Sequence, residues 1–155
     1  MAIQTTTTLR ADATEGHMIR AIARYLPAAA RVILGLVFLV FGLNGFFNFI
    51  PPPSGPVPEG AMALGGALMK SGYLFQLIKG TEVVVGALLL SNLFVPLALA
   101  LIAPVIVNIA AFHLFLAPEG LALAIGLVAL EIYMAWAHRA AFRSMLVARS
   151  TPGTR

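Results

Sequence analysis

The sequence predicts an all-α fold: a four-helix transmembrane bundle with a short amphipathic helix in the first extracytoplasmic loop. Three observations carry that expectation. First, 60% of the 155 residues are hydrophobic and only 10% are charged, against about 25% charged in ordinary soluble domains. A chain of this size cannot hide so much apolar surface in one water-soluble core. Second, four apolar stretches lie near 28–50, 73–91, 94–116 and 121–138. Each approaches or exceeds the ~20 helical residues that cross roughly 30 Å of hydrocarbon. Third, eight of the ten Lys and Arg residues gather toward the two chain ends, beside apolar spans.

Residues 1–26 form the first segment. Positions 1–16 are polar and Thr-rich without periodicity, so a disordered tail is expected. A cleavable targeting peptide is not expected, because the first apolar span starts far from Met1 and no small-residue cleavage site follows it. At 17–26, His17, Arg20 and Arg24 recur at helical spacing, and Arg31 continues the stripe. Met18, Ile19, Ile22, Tyr25 and Leu26 take the other side. This pattern predicts a basic helix lying at the membrane surface, with a bend at Pro27.

Residues 27–148 form the membrane domain, and 149–155 a second tail. Helices are required in the spans because lipid offers no partner to a backbone N–H or C=O. Spans two and three are separated only by residues 91–93, which predicts a tight antiparallel pair. Ala117, Pro118, Glu119 and Gly120 form the turn between three and four. The first loop opens with the proline-rich run 51–58, which favours extended chain. Residues 59–69 (EGAMALGGALM) then read as a short helix on or dipping into the membrane, favoured as a lid over the outer end of the spans. Residues 138–148 are expected to prolong span four as an amphipathic helix.

Charge placement predicts orientation. Arg10, Arg20, Arg24 and Arg31 precede or open the first span, and Arg139, Arg143, Arg149 and Arg155 follow the last. The two loops at the opposite side hold only Lys70. Both termini should therefore face the cytoplasm, with the chain multi-pass in the inner (plasma) membrane. The pI of 10.1 suits anionic lipid headgroups, and nucleic acid is not an expected partner.

Small residues at helical spacing predict close packing: Gly35 with Gly42 in span one, and Ala122, Gly126 and Ala129 in span four. Pro104 should kink span three.

The informative positions are the polar ones inside the spans: Asn44, Asn48, Lys79, Glu82, Asn108, His113 and Glu131. Ionisable groups at membrane depth cost about 2.5–3.5 kcal/mol each on insertion scales and should face inward with partners. Asn44 and Asn48 are four apart, so they share a face. Lys79 and Glu82 are three apart and can pair. With ~1.5 Å of rise per residue and alternating spans, six of these groups converge on the outer half, with Glu131 below them. That convergence points to a pocket for a small molecule. Taken singly, each residue also has a plain structural account: a self-satisfied ion pair, interhelical amides, an interfacial histidine.

Several chemistries find no support. Cysteine is absent, so thiol exchange and thiolate metal sites have no residue to use. No Ser–His–acid triad, glycine-rich phosphate loop or H-E-x-x-H motif occurs. His113 and His138 belong to opposite ends of the spans and His17 lies outside them, so one chain offers no facing pair for haem. A stand-alone enzyme is not expected, and neither is a metal or an intrinsic cofactor.

The residues now in hand are similar to the DoxX family of small four-helix membrane proteins, over roughly 31–146. The resemblance rests on the run 35–46 (GLVFLVFGLNGF), on Ser71-Gly72-Tyr73-Leu74, on Lys79-Gly80-Thr81-Glu82 leading to Gly86, and on Ala103-Pro104 to Asn108 followed by Phe112-His113. It implies Asn44, Glu82, Asn108 and His113 as pattern residues. The family is named for a subunit of a thiosulfate–quinone oxidoreductase, and some members associate with redox enzymes. A quinone is therefore a candidate ligand, and a membrane or peripheral redox protein a candidate partner. The thiol mechanism of some relatives does not carry over to a chain without cysteine. Three functional readings follow: an accessory subunit binding a lipid-soluble small molecule, a small proton-coupled transporter or channel using Glu82, Glu131 and His113, and a structural or assembly protein. Each leaves oligomerisation open.

Overall fold

A computed structural model describes residues 2–52, 55–143 and 145–147, with side chains from Arg24 onward. Every regular element among them is helical: α1 (Ala2–Phe47), α2 (Glu59–Lys70), α3 (Leu74–Leu90), α4 (Val95–Phe115), α5 (Leu121–Ala137) and the short α6 (Arg139–Phe142). A single 3-10 turn, Pro118–Gly120, leads into α5. Three segments are long and apolar enough to cross a membrane: Arg24–Phe47, Val95–Phe115 and Pro118–Ala137. The pair α2 and α3 makes a fourth only if counted as one span broken by a 91° bend.

The helix bounds of α3, α4 and α5 fall within one residue of the expected spans. The two ends of the chain differ from expectation. Where a disordered tail, a separate surface helix and a bend at Pro27 were predicted, α1 runs unbroken from Ala2 to Phe47 with Pro27 inside it. Proline removes one backbone bond but permits helical φ, and Arg24, Leu26 and the alanines 28–30 around it favour helix. At the other end, span four does not continue through 138–148. His138 leaves helical geometry (φ −101°, ψ 17°), and only the four residues of α6 follow. Side chains take up the last carbonyls of α5: His138 Nδ1 bonds the Met134 oxygen (3.0 Å) and Arg139 donates to the Trp136 oxygen (3.1 Å). The C-terminal tail at 149–155 lies outside the described residues.

Helix α1 packs on α3 and α5, and α4 packs on α3 and α5. The core between them is apolar, built on Leu34 and Phe38 of α1, Val85 and Leu89 of α3, Leu99, Ile102 and Ile106 of α4, and Leu127 and Met134 of α5. Helices α1 and α3 meet at backbone distance. A Cβ on Gly86 would lie 2.5 Å from the Leu39 nitrogen, and one on Gly42 2.9 Å from the Val83 nitrogen. Only residues without side chains allow that approach. The guanidinium of Arg31 donates to the carbonyls of Leu89 and Leu90, so it caps the end of α3 rather than continuing a surface stripe. A cation there also complements the helix dipole.

The small-residue stripe of α5 behaves otherwise. Ala122, Gly126 and Ala129 are exposed, and a Cβ on Gly126 would touch nothing. The buried side of α5 is the opposite one: Ala124, Leu127, Glu131 and Met134. The expectation of close packing at 122, 126 and 129 is therefore corrected within this chain. Large apolar side chains such as Ile33, Leu36, Leu101, Val107, Ile125 and Ile132 also face outward. Such a continuous apolar exterior exceeds what water-exposed monomers carry, and lipid is the solvent that suits it.

Helix α2 is joined to α3 by Ser71, Gly72 and Tyr73. Gly72 takes φ +78°, a left-handed conformation that glycine reaches without a steric penalty. Ser71 Oγ donates to the Leu68 carbonyl (2.6 Å) and accepts from the Leu74 amide (2.9 Å), so one hydroxyl closes α2 and starts α3. Ala61 of α2 is buried and Leu64 and Leu68 half-buried on one side, while Met62 and Met69 are exposed.

Candidate functional site

The polar centre is an ion pair on α3. Lys79 Nζ donates to both Glu82 oxygens, at 2.8 and 3.1 Å. The three-residue spacing puts both groups on one helical face, and that face turns inward. Glu82 is 5% exposed and Lys79 21%. Gly45 of α1 lies against the Lys79 stem, and any Cβ there would collide with it. Helix packing thus holds the lysine over its carboxylate.

Two cavities meet at this pair. One, of about 240 Å³, is lined by Val37, Phe38 and Phe41 of α1, by Leu123 and Leu127 of α5, and by Lys79, Glu82, Ile109 and His113. The other, of about 280 Å³, lies under Ala61, Leu64 and Leu68 of α2, beside Phe75, Asn108 and Phe112, and shares Lys79, Glu82, Ile109 and His113. The four shared residues form a partition between a chamber facing α1 and α5 and a chamber beneath α2. Apart from that partition and Asn108, both chambers are walled by apolar and aromatic groups. This is the composition of small-molecule sites, where a few polar groups orient a mostly apolar ligand.

His113 is held from several sides. Its Nδ1 lies 2.9 Å from the Ala117 carbonyl. Phe112 meets the ring edge to face at 5.1 Å. Gly120 rests directly on the ring, where a Cβ would overlap it.

The seven predicted residues do not all gather. Lys79, Glu82, Asn108 and His113 do, around the two chambers, with Asn108 on the exposed side of α4. Asn44 and Asn48 instead end α1. The Ile50 amide donates to Asn44 Oδ1 (2.7 Å), the Asn48 amide donates to the Asn44 carbonyl (2.8 Å), and Asn48 adopts φ 50°. An asparagine in the left-handed region is a common helix stop. The helix accordingly closes at Phe47, three residues before the expected end of span one.

Glu131 stands apart. It is 9% exposed, and its Oε2 has no hydrogen-bond partner among the described residues. A carboxyl in an apolar core is costly, and among the described residues no donor meets its Oε2. Among the described residues, no three His, Asp or Glu side chains come together to hold a metal.

Phe38, Phe41, Ile109, Leu127, Gly45 and Gly120 were not anticipated as part of the site. Their signal in the sequence is weak, because apolar and small residues occur throughout the spans. Comparison with family models, with curated proteins and with solved structures finds no match to this chain.

Proposed function

We propose that the chain is a DoxX-like four-helix transmembrane bundle that binds a lipid-soluble small molecule, with a quinone as one candidate, in the polar pocket at its outer end. In this reading α2 is an amphipathic lid in the first extracytoplasmic loop, the chain is multi-pass in the plasma membrane, and both termini are cytoplasmic. It serves as an accessory subunit to a membrane or peripheral redox partner rather than as an enzyme alone. The observation that supports this most is the sharing of Lys79, Glu82 and His113 by two apolar chambers. A purely structural ion pair needs no adjoining clefts, and two open beside this one.

The test is native mass spectrometry of the protein released gently from its own membrane, alongside Ile109→Trp. Ile109 borders both chambers and is not itself part of the ion pair, and the larger side chain takes space from both. A bound lipid-sized mass in the native chain that is lost in Ile109→Trp is expected. A bare native chain would sink the reading.

One observation favours proton-coupled transport instead: Glu131 is buried without a partner at Oε2, as a proton carrier would be. Proteoliposomes under a pH gradient decide this. Flux that disappears in Glu131→Gln would replace the accessory-subunit reading.

A further inference from the structure

The chemistry of one ring decides which head group the chambers suit. A carbonyl oxygen only accepts, so His113 Nδ1, facing the Ala117 oxygen, carries a hydrogen and donates it. In the neutral ring Nε2 is then a bare acceptor. No group among the described residues bonds Nε2, and it is not a sealed orphan, since the one buried polar side-chain atom without a partner is on Glu131. The ring cannot easily turn to exchange its nitrogens, because Gly120 and Phe112 pack against it. The Lys79 ammonium, which borders the same two chambers, has three hydrogens; two go to the Glu82 oxygens, and the third, on a nitrogen 6.0 Å from the Phe75 ring centre, is left to give. The residues shared by both chambers therefore include an imidazole with one bare nitrogen and an ammonium with one spare hydrogen, beside a Glu82 carboxylate that keeps further lone pairs.

A ligand head must match both. A hydroxyl does so with one atom, donating its hydrogen and accepting through its lone pairs. A carbonyl or ether can take the hydrogen of Lys79 but leaves Nε2 unpaired, which costs affinity once water is excluded. The walls add a preference for an aromatic body: Phe38 and Phe41 line one chamber, and Phe75 and Phe112 the other.

Building on the pocket reading, we infer that the site selects a phenol: an aromatic hydroxyl carrying an apolar tail, held between His113 Nε2 and Lys79 Nζ. For a lipid that exists in reduced and oxidised forms, this selects the hydroxyl-bearing form over the one with carbonyls alone.

The test uses the full chain in detergent and a matched pair of probes, para-octylphenol and its methyl ether. The ether partitions more strongly into micelles, so the gap between the probes is read against the same gap in His113→Phe, where partitioning is identical. Binding is titrated by native mass spectrometry on the native chain, on His113→Phe and on Ile109→Trp, which crowds both chambers. The phenol is expected to bind the native chain about tenfold more tightly than the ether, the effect of one lost hydrogen bond at a buried site. That gap should close in His113→Phe while ether binding is kept. Equal affinities for the two probes in the native chain would overturn the selectivity and leave the pocket standing. A gap that survives in His113→Phe would overturn the role of Nε2. Neither probe binding above the level of Ile109→Trp would overturn the pocket and the selectivity together.

Discussion

Lys79 Nζ and the Glu82 carboxylate are in contact through both oxygens, one turn apart on α3, at the point where two chambers meet. The pair is self-neutralising, which lets two charges sit among apolar walls. Breaking it from one side leaves a single buried charge, at a cost of about 3–5 kcal/mol. Lys79→Met and Glu82→Leu are each expected to lower the unfolding midpoint in detergent strongly. The double variant should recover much of the loss, because no charge then remains unpaired. Additive losses in a double-mutant cycle would show that the two groups do not act as a pair.

Glycine positions on α3 and α5 should respond oppositely to one added methyl. Gly86→Ala drives a Cβ into the α1 backbone at Leu39, and a loss of about 1–3 kcal/mol is expected. Gly126→Ala meets open space and should be neutral or stabilising by up to about 1 kcal/mol through helix propensity. Thermal unfolding of the two variants side by side checks this. A destabilised Gly126→Ala would mean that another chain covers that face of α5.

Glu131 carries a buried oxygen without a partner among the described residues. Replacing it with leucine removes the unsatisfied group and fills similar volume, so Glu131→Leu should stabilise the protein by roughly 1–3 kcal/mol. The unfolding midpoint reads this directly. A fall instead of a rise would reveal a partner that the isolated chain does not contain.

The proposed orientation is accessible because the chain has no cysteine of its own. Gly55→Cys, in the loop before α2, should react with a membrane-impermeant maleimide in intact spheroplasts. Val147→Cys, after α6, should react only once the membrane is opened. The reverse pattern would invert the topology.

The helical class and the bounds of three helices were legible because apolar runs are local and continuous: lipid forces each backbone group to bond within its own segment. The Lys79–Glu82 pair was legible for the same reason, since three-residue spacing on a helix fixes a contact without any help from the rest of the fold. The end of α1 was less so. Asn44 and Asn48 carry the residue type of a pocket amide and of a helix stop alike, and only the backbone beyond Phe47 separates the two.

What the sequence determined by itself is therefore what neighbours along the chain decide: helices, their polarity, the ion pair, the absence of thiol chemistry. Tertiary structure alone decided the rest. It turned the small-residue face of α5 outward, and it drew α1 and α3 together at Gly42 and Gly86 so that Gly45 covers Lys79. It also set α2 over a chamber at the side of the ion pair. These outcomes depend on the rotation of each helix about its own axis. Hydrophobic patterning sets that rotation in water, where only one face is apolar. In a span that is apolar all round, side-chain packing between helices sets it instead.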